Sequence, residues 1–213
     1  MLALILAGGE GSRLRLGEKA LVPVHNRPMV AWVLDAFNRA GCEPILITSY
    51  KTPYTRNWCR ANNVEHIDTN GIGYCEDLRE AVEISGEEGP LFTSAADIPC
   101  LTSDIILRIL DAYHASGKSA CSTWVPLTLC DKYGMLPRYR EVINGVPATP
   151  CAINIFMGSL VDEVQDEVCL LLDEPGLAFN INTREELAVL EREFCSVRVL
   201  QDRDVSINTH SRQ

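Results

Sequence analysis

The chain lacks any apolar run long enough to cross a membrane. Its first, Leu2-Ala3-Leu4-Ile5-Leu6-Ala7, is of strand length and too short for a secretory signal. It lacks a C-x-x-C pair, and its nine cysteines are irregularly spaced. That pattern argues against a disulfide framework or a metal cluster and for reduced thiols in a cytoplasmic chain. It also lacks an excess of basic residues. With 19 Lys and Arg against 29 Asp and Glu, the net charge is −10, which excludes a general nucleic-acid binder. The four histidines, His25, His66, His114 and His210, form no motif. Repeats, low-complexity tracts and linkers are missing too, so the 213 residues read as one domain with a polar tail, 201–213, that is loosely held.

What is present is unevenly placed. Residues 1–60 carry eight Lys and Arg and four Asp and Glu, whereas the rest of the chain carries eleven and twenty-five. Most of those carboxylates read as a solvated acidic surface, while the basic start suits an anion. Apolar runs alternate with helical stripes through the first 125 residues, an α/β pattern built on a mostly parallel sheet. Met29, Val30, Val33, Leu34 and Phe37 share one helical stripe after Pro28, and Gly41 stops it. Thr52-Pro53 reads as a cap and first residue of the next helix. Ile105, Ile106, Ile109, Leu110 and Tyr113 form another stripe, Cys151–Phe156 returns to the sheet, and Thr183-Arg184-Glu185-Glu186 opens the last helix as a capping box. Residues 126–150 read as irregular.

The first strand runs into Gly8-Gly9-Glu10-Gly11-Ser12-Arg13-Leu14, with Glu18-Lys19 close behind. Three glycines leave backbone N–H groups uncovered, and two cations are spaced to reach one anion, as a polyphosphate requires. A Walker loop needs a glycine pair in fixed relation to Lys19, and none stands there. A dinucleotide fingerprint needs glycine at Leu14 and an acid where the second strand ends, at Thr48-Ser49. The remaining pattern, Leu-Ala-Gly-Gly-x-Gly-x-Arg-Leu followed by Lys, fits at every position. A plain turn would not need both cations.

These residues resemble the nucleotidyltransferase superfamily, which transfers a nucleoside monophosphate from a triphosphate to a phosphate or sugar phosphate. The resemblance implies a three-layer α/β/α Rossmann-like sandwich with a mostly parallel, mixed sheet. It implies that Leu6, Ala7, Gly8, Gly9, Gly11 and Ser12 bind the nucleotide, that Arg13 holds the departing pyrophosphate, and that Lys19 sits by the α-phosphate. Ala20 stands where the family often has proline, a difference that bears on loop stiffness.

Asp97 follows an apolar strand and precedes Ile98-Pro99. Asp before a turn proline is ordinarily turn chemistry; beside this loop, the resemblance makes it the catalytic carboxylate and the ligand of Mg²⁺. Phe179-Asn180-Ile181-Asn182-Thr183 resembles a motif of the same group. Thr183 caps the helix, and Asn180 and Asn182 stay open as acceptor contacts.

Thr52-Pro53-x-Thr55, the run Ile67-Asp68-Thr69-x-Gly71-x-Gly73-Tyr74-x-Glu76-Asp77-Leu78, Val146-Pro147 leading to Asn154, and the asparagine motif are similar to the archaeal-type GTP:adenosylcobinamide-phosphate guanylyltransferases. The similarity spans residues 2 to about 190 and implies GTP and adenosylcobinamide phosphate as substrates, with pyrophosphate released. Thr48, Ser49, Asp68 and Gly73 fall where that family meets base and ribose, and Asn154, Asn180 and Asn182 where it meets the acceptor. The related kinase carries a Walker loop, so transfer without kinase activity is expected here. Trp124, Tyr133, Met135 and Tyr139 are candidates for the mouth that admits a corrin. A molybdopterin guanylyltransferase and a nucleotide-binding module without catalysis are the alternatives, and a homodimer is left open.

Overall fold

The computed structural model describes residues 1–9, 11 and 13–208, with side-chain surroundings through residue 197. Ser12, named above as a nucleotide contact, therefore lies outside the described residues. The chain runs β1 (Leu2–Leu6), β2 (Pro23–Val24), β3 (Arg27–Pro28), α1 (Met29–Arg39), β4 (Glu43–Ser49), α2 (Pro53–Ala61), β5 (His66–Thr69) and α3 (Tyr74–Ser85). It continues through β6 (Pro90–Ala95), α4 (Ser103–Ser116), β7 (Ala120–Pro126), α5 (Leu127–Lys132), β8 (Glu141–Ile143), β9 (Val146–Met157), β10 (Glu167–Leu171) and α6 (Arg184–Asn208). Thus α6 takes in residues 201–208 of the expected tail, and 209–213 lie outside the described residues.

The main sheet has the order β10-β7-β9-β6-β1-β4-β5, with β8 paired to β9. β1 is parallel to both β4 and β6, while β9 runs antiparallel between β6 and β7. The sheet is therefore mixed and mostly parallel on the side that carries the glycine loop. Alternation along β1 divides the core. Ala3 and Ile5 join one cluster with residues of α1, α2, α4 and α6, whereas Leu4 joins Ala81 and Val82 of α3 on the other face. These are the three layers. In the larger cluster, Phe37 meets Phe92 edge-on at 5.5 Å, and each fully buried ring of this kind stabilises the fold by about 1.5–3 kcal/mol.

Residues 126–150 are more ordered than their composition suggests. They hold α5 and a hairpin from β8 to β9, turned at Asn144 and Gly145, whose φ values are 51° and 82°. An Asn-Gly pair between short apolar runs is the sequence signal for that turn. Trp124 and Met135 are buried, and Tyr133 packs against Phe179 at 4.9 Å, so of the four proposed mouth residues Tyr139 alone is well exposed.

Cys42, Cys59, Cys100, Cys121, Cys130 and Cys151 are buried, Cys169 is intermediate, and Cys75 and Cys195 are exposed. Burial pushes the Cys59, Cys121 and Cys130 thiols up to about 11. Because the thiolate is the reactive form, a thiol-titrating reagent should label Cys75 and Cys195 quickly in the native protein. The buried six should respond only on unfolding; fast labelling of most thiols would contradict this packing.

Candidate active site

Parallel pairing places the carboxyl ends of β1, β4, β5 and β6 along one edge, where ligands gather in open α/β sheets. Leu6 is in register with Ala95 of β6, and Ala96 N–H donates to Leu6 O at 3.2 Å. The chain leaving β1 as the glycine loop and the chain leaving β6 toward Asp97 therefore emerge side by side. Fully buried Leu14 anchors the far side of the loop, and Leu14 N–H closes the turn on Gly11 O at 3.0 Å. Gly11 has φ +65°, and a Cβ there would stand 2.6 Å from the Lys19 Cβ. Only glycine lets the loop approach Lys19 this closely.

Lys19 begins a short 3-10 turn, Lys19–Leu21, pinned by buried Ala20. Its ammonium is ion-paired with Asp97 Oδ2, with side-chain exposures of 17% and 13%. It also donates to Asn182 Oδ1 at 2.8 Å, and Arg13 Nη2 donates to the same oxygen at 2.9 Å. Asn182 in turn donates to Asn180 O and Asn180 Oδ1 at 3.0 and 2.9 Å. The glycine loop, the aspartate and the asparagine motif, whose ends lie 163 to 169 residues apart in sequence, thus form one polar constellation. Ile181 N–H bonds Asp97 O at 3.0 Å, which holds the asparagine segment beside the strand end. The expected capping box is present: Glu186 accepts from Thr183 N–H at 2.9 Å, and Thr183 Oγ1 accepts from Glu186 N–H at 3.2 Å.

A cavity of about 480 Å³ opens along this edge, within the roughly 300–1,000 Å³ usual for small-molecule sites. Of the residues singled out in the sequence, Leu6, Ala7, Gly8, Gly9, Gly11, Arg13, Lys19, Gly73 and Asp97 line it. A smaller cavity of about 200 Å³ shares Arg13 and is lined by Asn180, Asn182, Arg138 and Tyr139.

Other expected contacts lie elsewhere. Thr48 and Ser49 are fully buried, and Ser49 Oγ donates to Gly8 O at 2.9 Å, bracing the loop from behind. Asp68 lines neither cavity; its carboxylate accepts from Thr48 Oγ1 at 2.6 Å and pairs with Arg56 at 3.4 Å. Partial burial opposes its charge, but the Thr48 hydroxyl and the Arg56 guanidinium prevail and hold its carboxyl below the ordinary value. Asn154 also lines neither cavity. It pairs in register with Thr93 of β6 and Ser122 of β7, in reach of the Tyr74 hydroxyl.

Local reasoning misses several residues whose partners are distant in sequence. Glu18 accepts from Tyr54 N–H, Thr55 N–H and Thr55 Oγ1 at 2.8, 2.5 and 2.6 Å, so it caps α2 and fastens the residue before Lys19 to that helix. Thr52, expected as the side-chain cap, instead accepts from Ser49 N–H at 3.1 Å and closes the preceding turn. Arg184 clamps the loop to α6 by donating to Leu14 O and Arg15 O at 3.1 and 2.9 Å. Lys51, Ile72, Tyr74 and Asp77 also line the larger cavity.

The sequence profile of the MobA-like NTP transferase domain matches residues 3–143, which include the glycine loop, Lys19 and Asp97. The chain belongs to the MobA-like NTP transferase family. One relative of this NTP transferase is the adenosylcobinamide-phosphate guanylyltransferase of Methanocaldococcus jannaschii, 32% identical over 89% of this chain and 95% of its own length. A molybdenum cofactor guanylyltransferase of Yersinia pseudotuberculosis is 25% identical over 49% of this chain and 53% of its own. In fold, this family member is similar to a hypothetical transferase from Thermus thermophilus. Their TM-score is 0.70 at 21% identity, covering 87% of this chain and 98% of that one.

In this NTP transferase Asp97 offers a carboxylate suited to a cation. Asp97 Oδ1 is buried and accepts no hydrogen bond among the described residues, while Oδ2 faces Lys19. An orphaned carboxylate oxygen of this kind fits a hard divalent cation, which binds through one or two carboxylates together with substrate phosphates. Among the described residues no group of three or more His, Cys, Asp or Glu offers a closed protein-only site.

Proposed function

We propose that this NTP transferase moves GMP from GTP to adenosylcobinamide phosphate, giving adenosylcobinamide-GDP and pyrophosphate in assembly of the cobalamin nucleotide loop. The observation that carries the reading is the convergence of Gly11, Arg13 and Lys19 with Asp97 and Asn182 at one strand edge. The relative from M. jannaschii supports the choice of acceptor, because its match runs nearly end to end. The molybdenum cofactor enzyme matches about half of the chain.

The acceptor phosphate is ionised at neutral pH, so it needs no protein nucleophile. Its oxygen attacks the α-phosphorus while the bond to the bridging oxygen of pyrophosphate breaks. Charge then grows on the equatorial oxygens and on the leaving group. Lys19 offsets the first and Arg13 the second, held before reaction by the shared Asn182 oxygen. Preset donors of this sort lower a barrier without reorganising during the step. Asp97 would hold Mg²⁺, which would supply positive charge to offset the charge of the phosphates. The acceptor enters from the smaller cavity, where Arg138, Tyr139, Asn180 and Asn182 are gathered.

Incubation with GTP and either adenosylcobinamide phosphate or molybdopterin tests this reading. Pyrophosphate release with the cobinamide alone supports it; release only with molybdopterin would overturn the acceptor assignment. Asp97→Asn should cut activity by about 10²-fold or more and raise the Mg²⁺ concentration needed for half-maximal rate. An unchanged Mg²⁺ response would remove Asp97 from that role.

A further inference from the structure

The cavity is longer than its phosphate end. Beyond Gly8 and Gly9 its wall is made by Lys51, Gly71, Ile72, Gly73, Tyr74 and Asp77. Ile72 is 72% exposed and Tyr74 50%, so both leave apolar surface open to this space. The Tyr74 hydroxyl is tucked toward Thr93 and Asn154, which leaves the ring itself as part of the wall. A flat aromatic ligand matches such a surface.

Two charged groups in that wall are incompletely used. Asp77 is 9% exposed, and its Oδ1 accepts from Ile72 N–H at 3.2 Å. No described residue donates to its Oδ2, and no described cation pairs with it. A carboxylate with about four acceptor sites, buried against a cavity with one in use, is suited to donors supplied by a ligand. Lys51 Nζ donates to Gly71 O at 2.6 Å across the same wall, with two more N–H groups to offer.

We infer that Asp77 reads the base of the nucleotide, accepting from N1–H and the 2-amino group of guanine while Lys51 serves O6. Guanine presents an acceptor followed by two donors along that edge, which is complementary to an ammonium and a carboxylate. Adenine presents a donor and then an acceptor, so its ring nitrogen meets a carboxylate with nothing to donate. The bland role of Asp77, holding the turn before α3 through Ile72 N–H, is real. It uses one oxygen and leaves the other for the base. This assignment rests on the guanylyl-transfer reading and names the residues that select the base.

Asp77→Asn separates the two roles, because an amide oxygen can still accept from Ile72 N–H while the amide nitrogen turns a cavity acceptor into a donor. Calorimetric titration of the full chain with GTP, ITP, XTP and ATP reads the result. The unaltered protein should bind GTP roughly 10- to 100-fold more tightly than ITP, which lacks the 2-amino group, as expected for hydrogen bonds to a charged acceptor. Asp77→Asn should lose that discrimination and gain affinity for XTP, which carries a carbonyl oxygen at the same position. Equal binding of GTP and ITP by the unaltered protein would overturn the assignment, even if the variant does not fold. A folded variant that keeps the GTP preference would overturn it too. Equal binding of GTP and ATP by the unaltered protein would instead count against guanylyl transfer itself.

Discussion

Lys19→Ala should lower turnover by roughly 10²–10³-fold, the cost of removing one preset donor from a developing phosphate charge. The loss has two sources. One is direct: the ammonium no longer meets the α-phosphate oxygens as they gain charge. The other comes from Asp97, whose Oδ2 loses the ammonium that fixes its position at the strand end. GTP affinity should therefore fall along with turnover. The fold should survive, because the pair borders an open cavity and the freed carboxylate can be hydrated there. Steady-state kinetics with circular dichroism checks this. Turnover within a few-fold of the parent would exclude Lys19 from the reaction.

Gly11→Ala should nearly abolish nucleotide binding while lowering the unfolding midpoint by only about 2–8 °C. The added Cβ would lie 2.6 Å from the Lys19 Cβ and 3.2 Å from the Lys19 Cα and backbone nitrogen. Backbone cannot yield as the tip of a long side chain can. The positive φ adds strain of about 1–2 kcal/mol for any L side chain. The loop must swing away from Lys19, which separates the amides from the cation that should share their ligand. Gly9→Ala is the contrast, since a Cβ there would meet nothing within 4 Å. Any loss in that variant measures the approach of phosphate rather than the shape of the empty loop. Equal, mild effects at both positions would contradict the geometry.

The part of this site legible in the sequence is the part written in neighbouring residues. Gly8, Gly9, Gly11, Arg13 and Lys19 stand within twelve positions, and a single strand-to-loop junction explains them. Periodic stripes gave α1, α4 and the capped start of α6, because burial of one helical face leaves its mark every three or four residues. The hairpin at Asn144-Gly145 had a local signal that composition obscured. Glu18 and Arg184 show a different limit. Their partners lie 36 or more positions away, so nothing near either residue announces its role. Asp68 shows the reverse case, a carboxylate in a suggestive turn whose charge is taken up by Arg56 and Thr48. Tertiary pairing decides such residues, and only the register of β4 with β5 brings Thr48 opposite Asp68.

The most direct test is a crystal structure of the full chain with a non-hydrolysable GTP analogue and Mg²⁺. The triphosphate should lie between the amides of Gly8–Gly11 and the side chains of Arg13 and Lys19, with the α-phosphate toward Asp97. A triphosphate bound anywhere else, with that loop untouched, would contradict the account at its root.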